Sequence, residues 1–427
     1  MRKKRVLQAA FGLDHAVVED IDFDEGAGAV VLSVRPVAKA KNRCGRCGRR
    51  SPGYDRGEGR RRWRALDLGT TRVFLEAEAP RVACRDHGAT VAAVPWARHG
   101  AGHTKDFDDQ AAWLAVHVSK SAVTELLRVA WRTVGSIVAR VGADIDARVD
   151  RLAGLTRIGV DEISYKRGHR YLSIVVDHES GRLVWAGPGK DVSVLEAFFD
   201  ALGEERTKAL THISSDMAPW FSTVIVRRAP HVVRCADPFH VVAWAMAALD
   251  AERRRAWNQA PGRRHIDTSG RPVEAHGRAR SLKQARYALW KNPEHLSIGQ
   301  RHQLEWIEKS DPKLWRAYLL KEGLRYTLKL HGDEARDALD RWLSWAKRSR
   351  LPAFVELARK VTAHRGAIEA AIDSGLSNAL IESTNTKIRL LTRIAYGFHG
   401  PEPLIALAML SLGGHCPPLP GRNRPTD

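Results

Sequence analysis

Seven residues of this chain have the types and spacing to bind metal. Three are carboxylates. Asp161 lies in the stretch TRIGVDE, Asp216 closes ALTHISSD, and Glu382 lies in SNALIESTNTKIRLLTRIAYGFHG, residues 377–400. Three hard oxygen ligands from separate elements suit two Mg2+ or Mn2+ ions with open coordination positions. Two such ions, about 4 Å apart, clamp the attacking and leaving oxygens of an in-line displacement at phosphorus. Other acids compete. Glu162 follows Asp161 but points to the opposite face of a strand. Asp177 ends a second strand. Asp237, in ADPFH, rivals Asp216, and His240 beside it could support either. A lone acid of this kind more often ends a strand or caps a helix. The set outweighs its members only if the fold brings them together.

The other four are Cys44-Gly-Arg-Cys47 and Cys84-Arg-Asp-His87, two half-sites flanking a segment with strand-like alternation around Val73, Leu75 and Val82. Each supplies two soft ligands, and one structural Zn2+ takes four in a tetrahedron, as in a zinc ribbon. The long loop between them costs little, because closure entropy grows slowly with length. Five cysteines in a chain of 427 residues do not make a disulfide scaffold.

The elements that must position the acids follow from periodicity. Near the C-terminus, Asn378, Glu382, Asn385, Arg389 and Arg393 recur at helical steps along one face. Ile381, Thr384, Ile388, Leu391 and Ala395 form an opposite, mostly apolar stripe. Lys387, Arg389 and Arg393 could hold DNA phosphates beside Glu382. From residue 155, TRIGVDE, RYLSIVVDH and RLVWAGPG read as three hairpin-linked strands. VSVLEAFFDALG reads as a helix, ALTHISSD as a strand, MAPWFSTVIVRRAP as a helix and HVVRCADPFH as a strand. This is the order of the ribonuclease H fold, in which the first and fourth strands are neighbours, so Asp161 and Asp216 could meet at strand ends. Residues 245–375, helical and tryptophan-rich, read as an insertion that separates Glu382 from the sheet. Upstream, KDFDDQAAWLAVHV, KSAVTELLRVA and WRTVGSIVARVGADI read as three helices of a helix-turn-helix. The third carries Arg132, Thr133, Ser136 and Arg140 on a polar side, as candidate DNA contacts.

A net charge of +20 points to a polyanionic partner, nucleic acid in the first instance. No run of about 18 apolar residues is present, which excludes a membrane-spanning helix as a reading. The basic N-terminus lacks the apolar core of a secretion signal, so a cytoplasmic protein is expected. The expected architecture is α/β and multidomain. N-terminal strands and a zinc-binding domain occupy 1–98 and a helix-turn-helix 99–152. A ribonuclease H-like catalytic domain with its helical insertion spans 153–415, and a disordered tail covers 416–427.

The blocks CGRCG…VACRDHG, GVDEISYKRGHRYLSIVVD, HISSDMAPWF, CADPFHVV, SLKQARYALWKNPEHL and SNALIESTNTKIRLLTRIAYGFHG follow one another in an order that resembles the ISL-three family of bacterial insertion-sequence transposases, of the DDE type. The resemblance implies Asp161, Asp216 and Glu382 as the metal-binding triad. It also implies that the zinc element and the helix-turn-helix recognise terminal inverted repeats. The implied reaction is hydrolysis at the element's end, freeing a 3′-OH that then attacks target double-stranded DNA. A synaptic complex holding two ends implies a homodimer or larger assembly on DNA. Two rivals remain: a transposase-derived DNA-binding regulator without catalysis, and a ribonuclease H-like nuclease.

Overall fold

The computed structural model describes residues 2–261, 265–266, 272–273, 276–376, 379–398 and 400–422. It divides into two compact units, Met1–Arg151 with Ile388–Asp427, and Leu152–Lys387. Among the described residues no helix is long and apolar enough to cross a membrane. Of the tail expected to be disordered, 416–422 carry neither helix nor strand, and 423–427 lie outside the described residues.

The first unit opens with a helix, Arg2–Ala10, that the sequence reading did not contain. A four-stranded sheet follows, in the order Ala16–Asp24, Ala29–Pro36, Thr71–Glu78, Arg60–Leu68. Its central pair, Ala29–Pro36 with Thr71–Glu78, is parallel. Alternate residues Val73, Leu75 and Ala77 point into a core with Leu32, Val34 and Trp63. Residues 1–40 supply half of this sheet. A second sheet of Gly53–Asp55, Arg81–Cys84 and Gly88–Val91 carries the Cys84–His87 turn.

Three helices come next: α1 (Lys105–His117), α2 (Lys120–Leu127) and α3 (Trp131–Asp146). Thr104 and Ser119 cap the first two by accepting the N–H groups of Phe107 and Ala122. Arg128, in the left-handed region at φ 54°, ends α2 and turns the chain into α3. The α3 side expected to be apolar is buried through Val134, Ile137, Val138 and Val141. The final helix, Pro401–Leu412, packs on α3.

The second unit holds a five-stranded sheet. Its strands are β1 (Arg157–Lys166), β2 (Arg170–Asp177), β3 (Leu183–Pro188), β4 (His212–Ser215) and β5 (Val233–Ala236), in the order β3-β2-β1-β4-β5. The first three pair antiparallel; β1, β4 and β5 run parallel. The expected neighbours, first and fourth strands, are adjacent. Helices α4 (Val192–Leu202) and α5 (Pro219–Arg228) connect them, with a short helix, Glu204–Ala209, absent from the sequence reading. Strand β5 ends at Ala236, earlier than expected. Asp237 caps the next helix, α6 (Pro238–Gln259), by accepting the N–H of Phe239 at 2.9 Å. Among the described residues from α6 through α7 (Arg365–Ser374) the chain is mostly helical around its own apolar core. Trp342 is buried there and donates to the Leu320 carbonyl, while Trp345 stays partly exposed. Helix α8 (Ala379–Ile394) follows, its residues up to Lys387 belonging to this unit and those from Ile388 to the first. Its apolar stripe, Ile381, Thr384, Ile388, Leu391 and Ala395, is buried as expected. Asn378 lies outside the described residues.

Candidate active site and zinc centre

The parallel register of β1, β4 and β5 lines up the acids. Gly159 pairs with Ser214, and Ser214 with Cys235. Val160, Ser215 and Ala236 form the next row. Each aspartate is one residue further: Asp161 partway along β1, and Asp216 and Asp237 just past the carboxyl ends of β4 and β5. Side chains alternate, so the three aspartates share the face of Gly159, Ser214 and Cys235. That inner row is small, and helices lie close on it. A Cβ added at Gly159 would stand 2.2 Å from Ile381 Cδ1 and 2.9 Å from His178 Nε2. Cys235 Sγ meets Ser374 Oγ of α7 at 3.5 Å, and His178 Nε2 meets Ser214 Oγ at 2.8 Å.

Helix α8 therefore tracks β1 residue by residue. Four helical residues span about 6 Å and two strand residues nearly 7 Å. With Ile381 on Gly159, Asn385 falls on Asp161, and its amide Nδ2 donates to Asp161 Oδ2 at 2.7 Å. The other oxygen, Asp161 Oδ1, accepts the Glu162 N–H at 2.8 Å. Asn385 is 4% exposed, so it does not share the solvent-facing row of Arg389 and Arg393. Its carbonyl Oδ1 is buried without a hydrogen-bond partner. Neither feature was read from the sequence.

His240 lies between two acids, its Nδ1 3.8 Å from Asp216 and its Nε2 3.5 Å from Asp237. Burial raises the Asp161 carboxyl above its ordinary value, and the Asp216 charge adds to this. Burial pushes Asp237 up to about 6, reinforced by the charges of Asp161 and Glu382 and opposed by His240. Glu162 is also raised by burial, with Asp161 and Asp216 contributing. Glu382 is half-buried in the first turn of α8. Asp177 turns away, accepting the N–H groups of Glu179 and Ser180. These carboxylates, with the unpaired amide oxygen beside Asp161, are hard-oxygen donors of the type a divalent cation takes, although among the described residues no three acids bring their oxygens within 4.8 Å of one another.

The cysteine and histidine half-sites meet closely. Cys44 Sγ and His87 Nδ1 are 3.7 Å apart, Cys47 Sγ and Cys84 Sγ 3.7 Å, and Cys84 Sγ and His87 Nδ1 3.6 Å. The four ligand atoms lie within 4.8 Å of one another, the one such group of three or more among the described residues. A zinc–sulfur bond of about 2.3 Å gives a tetrahedron with edges near 3.7 Å, so the set matches bound Zn2+ and not a disulfide. Gly48, at φ 71°, closes the first half-site by donating its N–H to the Cys44 carbonyl. The hydrogen bond from His87 lowers the Cys84 thiol to about 6, toward the thiolate that zinc binds.

On α3, Arg132 and Ser136 are exposed and Thr133 is half-buried. Arg140 is placed differently from expectation. Its guanidinium is committed to Asp108 of α1 at 2.9 and 3.1 Å. Asp108 is fully buried, and Arg98 and His103 also approach it. On α8, Lys387, Arg389 and Arg393 are exposed.

Comparison with known families agrees with these modules. Residues 40–87 match the zinc-finger of transposase IS204/IS1001/IS1096/IS1165. Residues 92–142 match the helix-turn-helix domain of transposase family ISL3, and 158–408 match that family's transposase domain. The chain is 60% identical to the transposase for insertion sequence element IS1557 of Mycobacterium tuberculosis, over 99% of this chain and 98% of that one. It is 24% identical to the transposase for insertion sequence element IS1001 of Bordetella parapertussis, over 94% and 96% of the two chains. The chain belongs to the ISL3 family of DDE transposases, enzymes that cut and join DNA at insertion-sequence ends.

Proposed function

We propose that Asp161, Asp216 and Glu382 are the catalytic carboxylates of this transposase, on a sheet of the ribonuclease H type. The observation that carries the reading is the aspartate row formed by Asp161 within β1 and Asp216 just past β4, with α8 held over it by the Asn385–Asp161 hydrogen bond. The strand order, two antiparallel strands flanking β1 on one side and two parallel strands on the other, supports the fold. Bound there, two Mg2+ or Mn2+ ions would supply the positive charge that activates water and stabilises the departing 3′-oxygen. The protein's part is positioning. Asn385 and the Glu162 N–H fix both oxygens of Asp161. His240 sits where it can hydrogen-bond Asp216 or Asp237 as either side chain moves. Lys387, Arg389 and Arg393 offer cations for DNA phosphate.

End recognition falls to the N-terminal modules. Arg132, Thr133 and Ser136 face outward on α3, the helix of a helix-turn-helix that enters the major groove. Zinc ties Cys44, Cys47, Cys84 and His87 into a structural knot beside them in sequence. Holding two ends at once calls for a dimer or larger assembly on DNA.

Strand cleavage tests the reading. A supercoiled plasmid bearing the element's ends is incubated with protein and Mg2+ or Mn2+. Nicking at the ends is expected for the wild type and lost in Asp161→Asn and Glu382→Gln, with end binding retained. End binding without nicking by the wild type would favour the non-catalytic regulator instead.

A further inference from the structure

Beyond the aspartate row the β1–β2 hairpin continues toward solvent. Lys166 pairs with Arg170, and residues 167–169 make the turn. Gly168 at φ 82° and His169 at φ 58° fix that turn in the left-handed region. Lys166, Arg167, His169 and Arg170 are all exposed. None of Lys166, Arg167 and Arg170 makes an ion pair among the described residues. Other arginines of this unit do pair, as the exposed Arg227 and the half-buried Arg228 do with Glu196. Beside the hairpin, Lys190 follows β3, its Nζ 3.8 Å from the centre of the Tyr171 ring, and His169 stacks on the same ring.

A basic run is most often a solvated face. Three features separate this one. It is held rigid by a strand pair and a fixed turn. It stands at the same end of the sheet as Asp161, five strand residues on, or about 17 Å. It also carries unneutralised charge that costs nothing to release from a protein partner. About 17 Å is the length of about five base pairs at 3.4 Å each.

We propose that the hairpin tip, through Lys166, Arg167 and Arg170, holds the phosphodiester backbone of DNA about five base pairs from the cleavage point. The inference rests on the aspartate row being the cleavage site. The phosphates could belong to the element's end, to the flanking DNA or to the target duplex. All three present the same chemistry.

The test is binding by full-length, zinc-loaded protein, without divalent ions at the acid row so that no strand is cut. The variant is Lys166→Ala/Arg167→Ala/Arg170→Ala. The three probes are an end duplex stopping at the cleavage point, the same end with flank, and an unrelated duplex. Each lost phosphate contact lowers the slope of log affinity against log salt by about 0.9, so a fall of about 2 to 3 is expected. A fall on both end probes but not on the unrelated duplex assigns the contact to backbone within the end, and a fall on all three assigns it to duplex backbone of any sequence. A fall on the flanked probe alone assigns it to flank, and on the unrelated duplex alone to target. A charge-keeping variant, Lys166→Arg/Arg167→Lys/Arg170→Lys, should retain the wild-type slope, which excludes misfolding as the cause. Hydroxyl-radical footprinting should show protection lost within about one helical turn of the cleavage point. An unchanged slope on all probes, or protection lost only elsewhere, would overturn the proposal. Because no cleavage is needed, a hairpin effect with an inert Asp161 would sink the catalytic reading and leave the contact standing.

Discussion

The Asn385 amide donates to Asp161 Oδ2 at 2.7 Å, while its own carbonyl oxygen stays buried and unpaired. A buried carbonyl left without a partner costs about 1–3 kcal/mol. That cost is relieved if a cation or its water occupies the space beside Asp161. Removing a side chain that orients a metal ligand typically costs 10–100-fold in metal affinity or activity. Asn385→Ala should therefore raise the Mn2+ concentration for half-maximal binding, measured by calorimetry, by about 10–100-fold, and lower cleavage similarly. End binding should not change. An unaltered Mn2+ titration would remove Asn385 from the site.

Gly159 sets the depth at which α8 lies on β1. Its substitution by alanine puts a methyl group 2.2 Å from Ile381 Cδ1, well inside contact distance. Overpacking of this kind costs about 1–3 kcal/mol and moves backbone. Gly159→Ala should lower the melting temperature and reduce cleavage, because α8 carries both Glu382 and Asn385. Ile381→Ala removes the clashing atoms, so the double variant should be more stable than additivity predicts. Strict additivity in the double-mutant cycle would refute the contact.

What could be read from sequence was local. The zinc ligands stand in two short half-sites, and Asp161 lies within, and Asp216 directly after, strands whose alternation is visible. Asn385 was hidden because helical periodicity gives a face but not its rotation against a sheet. That rotation comes from Gly159, which is remote in sequence and silent in any hydrophobic pattern. Arg140 misled for a similar reason: it lies on the polar side of α3, and its partner Asp108 sits on another helix. The parallel pairing of Ala29–Pro36 with Thr71–Glu78 is likewise non-local, so no local pattern signals it. Asp237 and His240 stayed undecided because one acid both caps α6 and joins the aspartate row.

Arg132 and Arg140 should separate stability from recognition. Arg140→Ala leaves the fully buried Asp108 with only the more distant Arg98 and His103, and breaking such a pair costs at most about 3–5 kcal/mol. It should lower the melting temperature of the helix-turn-helix and weaken binding to every DNA, specific or not. Arg132→Ala removes an exposed side chain, so melting should hold while binding to the end sequence falls more than binding to random DNA. Replacing the pair together, Asp108→Leu with Arg140→Met, should recover most of the lost stability. A wild-type melting curve for Arg140→Ala would disprove its structural role.

Zinc removal should act through folding. The four ligand atoms sit at tetrahedral spacing, and the apolar neighbours of Cys44 and Cys84 are few, chiefly Val82 and Ala92. So small a cluster cannot hold the half-sites together without the metal, whose binding energy is then folding energy. Purified protein should carry one Zn2+ per chain by elemental analysis, and Cys47→Ser or His87→Ala should lose it. Both variants should expose the segment around residues 43–55 to protease and abolish end binding. The carboxylate site lies in the other unit, so its Mn2+ binding by calorimetry should persist in both. Full zinc occupancy in Cys47→Ser and His87→Ala would rule out this ligand set.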